Sequence, residues 1–238
     1  MTTAQMPLFE EPTMTADDPL DLLRNADLVV LNSSGGKDSQ AMVSYVAGLA
    51  AQVGALDKIV KRDVVRQVIR SFDGRYTGFW RRGIALDCLG IRAAESSKRK
   101  RKLPLTQDSA LTTRGRSVFT WLPIHTWSDE QVWQQIAESA LPYSPVYDQG
   151  MSRLSCSFCV LASEDDLVCA ARLRPGMAAL YADLETRIGH RFKVDLAMAD
   201  VVAQAQALGP IAPQPRGTAM RRHLGDQATD AYLRRLTA

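Results

Sequence analysis

Ser34-Gly35-Gly36-Lys37-Asp38-Ser39 packs two glycines, two hydroxyls, an ammonium and a carboxylate into six residues. An apolar run, Leu28-Val29-Val30-Leu31, leads into it, and a helical pattern (Ala41, Met42, Tyr45, Val46, Leu49) leaves it. Strand, small-residue loop and helix start is the layout that aims backbone N–H groups and a helix dipole at an anion. Gly35 and Gly36 allow close backbone approach, Ser34 and Ser39 add hydroxyl donors, and Lys37 adds charge. The spacing is not that of a Walker A loop. The bland alternative is an ordinary glycine turn between strand and helix.

Two further segments carry chemistry. Gly90-Ile91-Arg92-Ala93-Ala94-Glu95-Ser96 follows a third apolar run and presents an arginine, whose planar fork can hold phosphate or sulfate bidentately. Its structural alternative is a strand end with a charged exit. Cys156-Ser157-Phe158-Cys159 has the spacing that lets two thiolates share one metal or meet each other. Iron–sulfur ligation, zinc ligation, and redox or uncomplexed thiols all remain open readings. Cys169, ten residues further on, is the candidate third ligand, whereas Cys88 sits mid-strand and reads as a small buried hydrophobe. Lys98-Arg99-Lys100-Arg101-Lys102 reads either as a solvated loop or as a phosphate or nucleic-acid contact. His125 lies at a strand-to-helix junction and reads as structural, with an acid–base or ligand role as the alternative.

These residues need elements to position them. The first 16 residues lack periodicity and read as a flexible tail. Asp18-Pro19 caps a short helix through Arg24. After the glycine loop the pattern predicts a helix to Val53, a strand opening at Asp57–Val60, and strands over Ile84–Ile91 and Ser117–Leu122. Ser128 and Gln131 form a capping box for a helix carrying Val132, Trp133 and Ile136. Further helices are predicted over Glu164–Leu173, Met177–Ile188 and Leu196–Leu208, with a linker at Pro210–Gly217 and a last short helix from Asp226. Alternating strands and helices imply a parallel α/β sheet whose ligands gather at the carboxyl ends of strands.

At Val60–Lys61 the pattern breaks. A strand stops after Ile59-Val60, and Lys61–Arg70 opens a helix at once, placing Val64, Val65, Val68 and Ile69 on one face without an intervening loop. The chain has 238 residues, 46% of them hydrophobic and 23% charged, the balance of a globular protein. Its net charge of +3 makes no global case for nucleic acid, so any such case must be local. No apolar run approaches the ~20 residues of a membrane span, and no secretory pattern opens the chain, which reads as cytoplasmic.

Together the Ser34–Ser39, Gly90–Ser96 and Pro145–Cys159 segments resemble the PP-loop ATP pyrophosphatase superfamily, whose signature is S-G-G-x-D-S. Within it they resemble the phosphoadenosine phosphosulfate reductase-like branch. That branch includes sulfonucleotide reductases and the ATP pyrophosphatase subunit of DNA phosphorothioation systems. The resemblance covers about Leu28 to Lys193. It implies an α/β fold, with a parallel-sheet PP-loop (adenine nucleotide alpha hydrolase-like) domain over 25–160 and a helical C-terminal extension over 161–238, after a tail and short helix in 1–24.

The resemblance also implies cleavage of ATP between its α- and β-phosphates. Ser34, Gly35, Gly36 and Ser39 would hold the leaving phosphates and Lys37 would neutralise their charge. Asp38 would hold Mg²⁺ or fix the loop, and Arg92 would bind an oxyanion of the acceptor. Lys37, Asp38, Ser39 and Arg92 are thus the expected catalytic set. Cys156, Cys159 and Cys169 are the expected metal ligands, for a [4Fe-4S] cluster if the branch is followed. Expected partners are ATP, a nucleic acid and a sulfur-donor protein such as a cysteine desulfurase, with no membrane and an oligomer open.

Two departures stand out. Thr218–Ala238 lacks the cysteine that sulfonucleotide reductases carry near the C-terminus. The family also places a strand, further α/β structure and a cysteine before the segment matching Lys61-Arg62-Asp63. An internal segment is therefore expected to be omitted at Val60–Lys61, with a naturally shortened domain as the alternative.

Overall fold

The computed structural model describes residues 18–61, residue 69 and residues 83–237. The expected N-terminal tail and most of the helix expected over 61–70 lie outside these residues. The described chain divides into two compact units. The first comprises residues up to Asn32, Val46–Leu89 and Lys102–Pro123; the second comprises Ser33–Tyr45, Gly90–Arg101 and Ile124 onward.

The first unit is built on a sheet. Its strands are β1 (Leu28–Asn32), β2 (Ile59–Lys61), β3 (Gly83–Leu89), β4 (Leu105–Gln107) and β5 (Arg116–Trp121), in the order β2-β1-β3-β5-β4. β2, β1, β3 and β5 run parallel, and β4 closes the edge antiparallel to β5. Leu28–Leu31 and Gly83–Cys88 are buried without alternation, as parallel strands covered on both faces are. Cys88 is one of them, and burial pushes its thiol pKa well up. Helix α1 (Pro19–Asn25) starts where Asp18 accepts the Leu20 N–H at 2.8 Å, and it buries Leu22 and Leu23.

Helix α2 (Lys37–Val53) follows β1. A single 3₁₀ turn, Leu56–Lys58, then precedes β2. β2 runs unbroken through Val60–Lys61, pairing Val29 with Ile59, Val30 with Val60 and Leu31 with Lys61. The edge strand β4 has no counterpart in the sequence pattern, because three residues with no apolar alternation carry no periodic signal.

The second unit contains the head of α2 and most of the helices. Ser96 caps α3 (Ser97–Lys100), so the basic run begins as one helical turn rather than as loop. Ser128 and Gln131 cap α4 (Asp129–Ser139) reciprocally, as the sequence predicts. α5 (Glu164–Leu173), α6 (Pro175–Ile188) and α7 (Met198–Leu208) pack around Leu167, Ala171, Met198 and Val201. Glu185 holds that group together by accepting the N–H groups of Phe192 and Met198.

α8 (Thr218–Leu236) begins eight residues before the predicted Asp226 and is broken at Gly225. It packs on α4 through Trp133, Tyr143, Met220 and Tyr232. Among the described residues, no helix is long and apolar enough to cross a membrane.

Candidate functional site

The glycine loop turns on Gly35, at φ +79°, a left-handed conformation that favours glycine. Ser39 Oγ donates to the Gly36 carbonyl at 2.9 Å, and the Gln40 N–H donates to the same carbonyl at 2.9 Å. Ser34 Oγ lies 3.3 Å from Ser39 Oγ. These hydroxyls therefore brace the loop.

The head of α2 is held from another segment. Tyr147 Oη accepts the Lys37 N–H at 2.8 Å and the Leu154 N–H at 3.2 Å. Burial raises the Tyr147 phenol pKa, although both N–H bonds pull it down, so the hydroxyl stays protonated. Gly90 lets the chain press against the same helix start. A Cβ there would fall 2.9 Å from Ser39 Cα and 3.0 Å from Ser39 N, closer than real Cβ contacts come.

Beyond the loop lies a cavity of about 620 Å³, within the range of small-molecule sites. Every residue lining it belongs to the second unit. At its centre four charges compensate one another. Lys37, only 8% exposed, places Nζ 3.2 Å from Asp38 and 3.0 Å from Asp129. Arg92, 3% exposed, donates from Nε to Asp38 at 2.5 Å, from Nη2 to Asp129 at 2.9 Å and from Nη1 to the Trp127 carbonyl at 3.2 Å. Burial works to raise the Asp129 pKa. The Lys37 hydrogen bond and the charges of Lys37 and Arg92 outweigh it and hold the carboxyl below its ordinary 3.8.

The structure thus brings Lys37, Asp38 and Arg92 together, and it adds Asp129, which the sequence offered only as a helix-start acid. Ser34, Gly35, Gly36 and Ser39 do not line the cavity; they shape the loop that carries Lys37 and Asp38 into it. Both Asp38 oxygens are already engaged by Lys37 and Arg92. Of the two roles expected for Asp38, the geometry fits fixing the loop. The carboxylates here do not fit a dedicated Mg²⁺ cage, because two cations already neutralise them. Mg²⁺ would accompany the phosphates of a nucleotide.

The three cysteines differ in burial and do not form a three-ligand metal group. Cys156 is exposed and Cys159 half-buried, whereas Cys169 is buried and donates to the Gln149 carbonyl at 3.5 Å. Burial, with Asp166 second, pushes the Cys169 thiol pKa up. Among the described residues no three His, Cys, Asp or Glu side chains are placed to hold a metal. These residues do not fit a [4Fe-4S] cluster with Cys156, Cys159 and Cys169 as ligands. His125 is buried, with Nε2 3.0 Å from the Arg99 carbonyl, which matches its structural reading.

The sequence reading missed the cavity roles of Tyr147, Arg153, Arg222 and His223. Tyr147 lies in the Pro145–Cys159 segment, where its type alone names no partner. The other three carried no signal, because isolated charges in a loop and a tail reveal no partner before the chain folds.

A model of the phosphoadenosine phosphosulfate reductase domain matches residues 82–162. An uncharacterized 37.8 kDa protein from the gpa 5′ region of Escherichia phage 186 is 35% identical over 78 residues, covering 33% of this chain and 22% of its own. A phosphoadenosine 5′-phosphosulfate reductase of Gloeobacter violaceus is 40% identical over 42 residues, 18% of this chain and 17% of its own. An adenosine 5′-phosphosulfate reductase of Neisseria meningitidis serogroup A is 34% identical over 74 residues, 30% of this chain and 29% of its own. The chain thus spans less than a third of each of these relatives. No solved structure matches it. The matched segment carries Arg92, which is joined through Asp38 to the S-G-G-x-D-S loop, so the match and the loop together support a place in the PP-loop ATP pyrophosphatase superfamily, in its phosphoadenosine phosphosulfate reductase-like branch.

Proposed function

We propose that this chain binds ATP and transfers its adenylyl group to an acceptor oxygen, releasing pyrophosphate and preparing that oxygen for displacement by sulfur. A nucleic acid, DNA in particular, is the proposed acceptor, and a cysteine desulfurase-type protein the proposed sulfur source. The observation that carries the reading is the Lys37–Asp38–Arg92–Asp129 arrangement at the mouth of the signature loop. Lys37 Nζ is buried between two carboxylates, and an incoming phosphate oxygen can take the place of Asp129 beside it. Arg92 spends three of its N–H donors on Asp38, Asp129 and Trp127. A guanidinium has five, so two remain for an oxyanion. Charge developing on the leaving pyrophosphate then meets donors that are already oriented.

The omission of a segment at Val60–Lys61 belongs to the same proposal. β2 stays paired with β1 through both residues, so the omission is proposed as a deletion from the chain, with a naturally shortened domain as the alternative.

The test is ATP–pyrophosphate exchange, with and without DNA or tRNA, beside sulfite release from adenylylated sulfate with a dithiol donor. The proposal expects exchange, reduced by roughly 10² or more in Lys37→Ala, as loss of a preorganised donor does. Sulfite release without exchange means a sulfonucleotide reductase instead, the activity in the names of two of the relatives. Nucleotide binding with neither reaction means a non-catalytic subunit.

A further inference from the structure

We propose that Arg153 and Arg222 form a second oxyanion subsite in the same cavity, one that takes a phosphate or sulfate group of the acceptor beside Arg92 while Lys37 faces the ATP phosphates. The inference rests on reading the cavity as a nucleotide site and deepens it.

Charge accounting around the cavity leads to it. Lys37 and Arg92 are balanced by Asp38 and Asp129, and Arg99 by Glu95. Arg153 and Arg222 line the same cavity, yet their hydrogen bonds go to neutral carbonyls, of Leu161 at 3.2 Å and Tyr147 at 3.4 Å. Neither guanidinium has a carboxylate within ion-pair distance among the described residues. Two guanidinium groups, both on exposed side chains, therefore line the cavity with no described carboxylate paired to them. Guanidinium forks match the oxygens of phosphate and sulfate, and each retains free N–H groups for them.

The backbone that carries the two arginines is held. Arg153 follows Ser152, whose N–H and hydroxyl both bond Asp166 at 2.7 and 2.8 Å, and Asp166 is itself 1% exposed. Arg222 sits in the first part of α8, where buried Asp148 accepts the Ala219 N–H at 2.8 Å. Tyr147 connects both to the signature loop: its hydroxyl accepts from Lys37 and Leu154, and its carbonyl accepts from Arg222. One residue thus sets the register between the neutral quartet and the cationic pair.

Calorimetry on the wild type, Arg153→Gln, Arg222→Gln and Lys37→Ala tests the inference with three probes. α,β-Methylene-ATP reports the ATP side. The dinucleotide TpT, with one phosphodiester, and inorganic sulfate report the acceptor side, each titrated with and without the ATP analogue. The proposal expects each arginine variant to lose at least tenfold more affinity for TpT or sulfate than for α,β-methylene-ATP, and Lys37→Ala to show the reverse bias. TpT binding points to a nucleic-acid phosphate, and sulfate binding without TpT to a free oxyanion or activated sulfate.

Equal losses for all probes would place the arginines on the ATP phosphates and overturn the second subsite. Absence of TpT and sulfate binding in the wild type would overturn it too. If the wild type ignores α,β-methylene-ATP but binds TpT or sulfate through the arginines, the ATP reading fails and the oxyanion subsite stands.

Discussion

Arg92 carries the heaviest load of any single side chain in the cavity. It is buried, and three donors tie Asp38, Asp129 and the Trp127 carbonyl together. Removing one partner of a buried ion pair leaves the other uncompensated, so Arg92→Gln should destabilise the protein by about 3 kcal/mol in urea unfolding. Asp129 adds a pH dependence. Its carboxyl titrates below 3.8 in the folded protein, because Lys37 and Arg92 outweigh the opposing effect of burial. A depressed carboxyl stabilises the fold above its unfolded pKa and stops doing so as pH falls through the folded one. The unfolding midpoint should therefore fall more steeply below about pH 4 in the wild type than in Asp129→Asn. Equal slopes would mean that Asp129 is not coupled to Lys37.

At the scale of elements, the site depends on two contacts that aim the head of α2. Tyr147→Phe deletes the acceptor for the Lys37 and Leu154 N–H groups. Leaving buried donors unpaired should cost about 1–3 kcal/mol, with faster amide exchange at Lys37 and Leu154. Gly90→Ala sets a methyl carbon against the Ser39 backbone, which cannot swing aside as a side chain would. Overpacking of this kind costs about 1–3 kcal/mol, and here it also displaces Lys37. We expect weaker nucleotide binding together with a lower unfolding midpoint. A lower midpoint with unaltered binding would show that the loop moves freely of Gly90.

For the molecule as a whole, α6 turns its predicted core face outward. The spacing of Leu180, Leu184 and Ile188 predicts the apolar stripe of an amphipathic helix, but they are 69%, 50% and 62% exposed, and only Ala178 of α6 is buried. The helix meets α5 and α7 through small residues instead, with Ala171, Ala178 and Ala205 at the join. Leu180→Lys should therefore shift stability by no more than about 0.5 kcal/mol, whereas Leu167→Ala, from the fully buried centre of the same group, should cost about 2–5 kcal/mol. Thermal or urea unfolding of the pair measures the contrast.

What the sequence determined by itself is local. Asp18 before Pro19, Ser128 three residues before Gln131, the apolar runs Leu28–Leu31 of β1 and Ile84–Leu86 of β3, and the S-G-G-K-D-S turn each act over a few residues, and each forms the local structure it predicts. The family resemblance set Lys37, Asp38 and Arg92 in one expected catalytic group, and the fold brings the three side chains together. Tertiary structure decided the rest, because it rests on pairings across long stretches of chain. Asp129 completes the charge quartet from 37 residues beyond Arg92, and Tyr147 caps α2 from 110 residues beyond Lys37. Cys169 closes on a carbonyl 20 residues back rather than on Cys156 and Cys159. A side chain's type states what it can bind, but its partner is set by which backbones the core brings together, and that is a property of packing rather than of spacing.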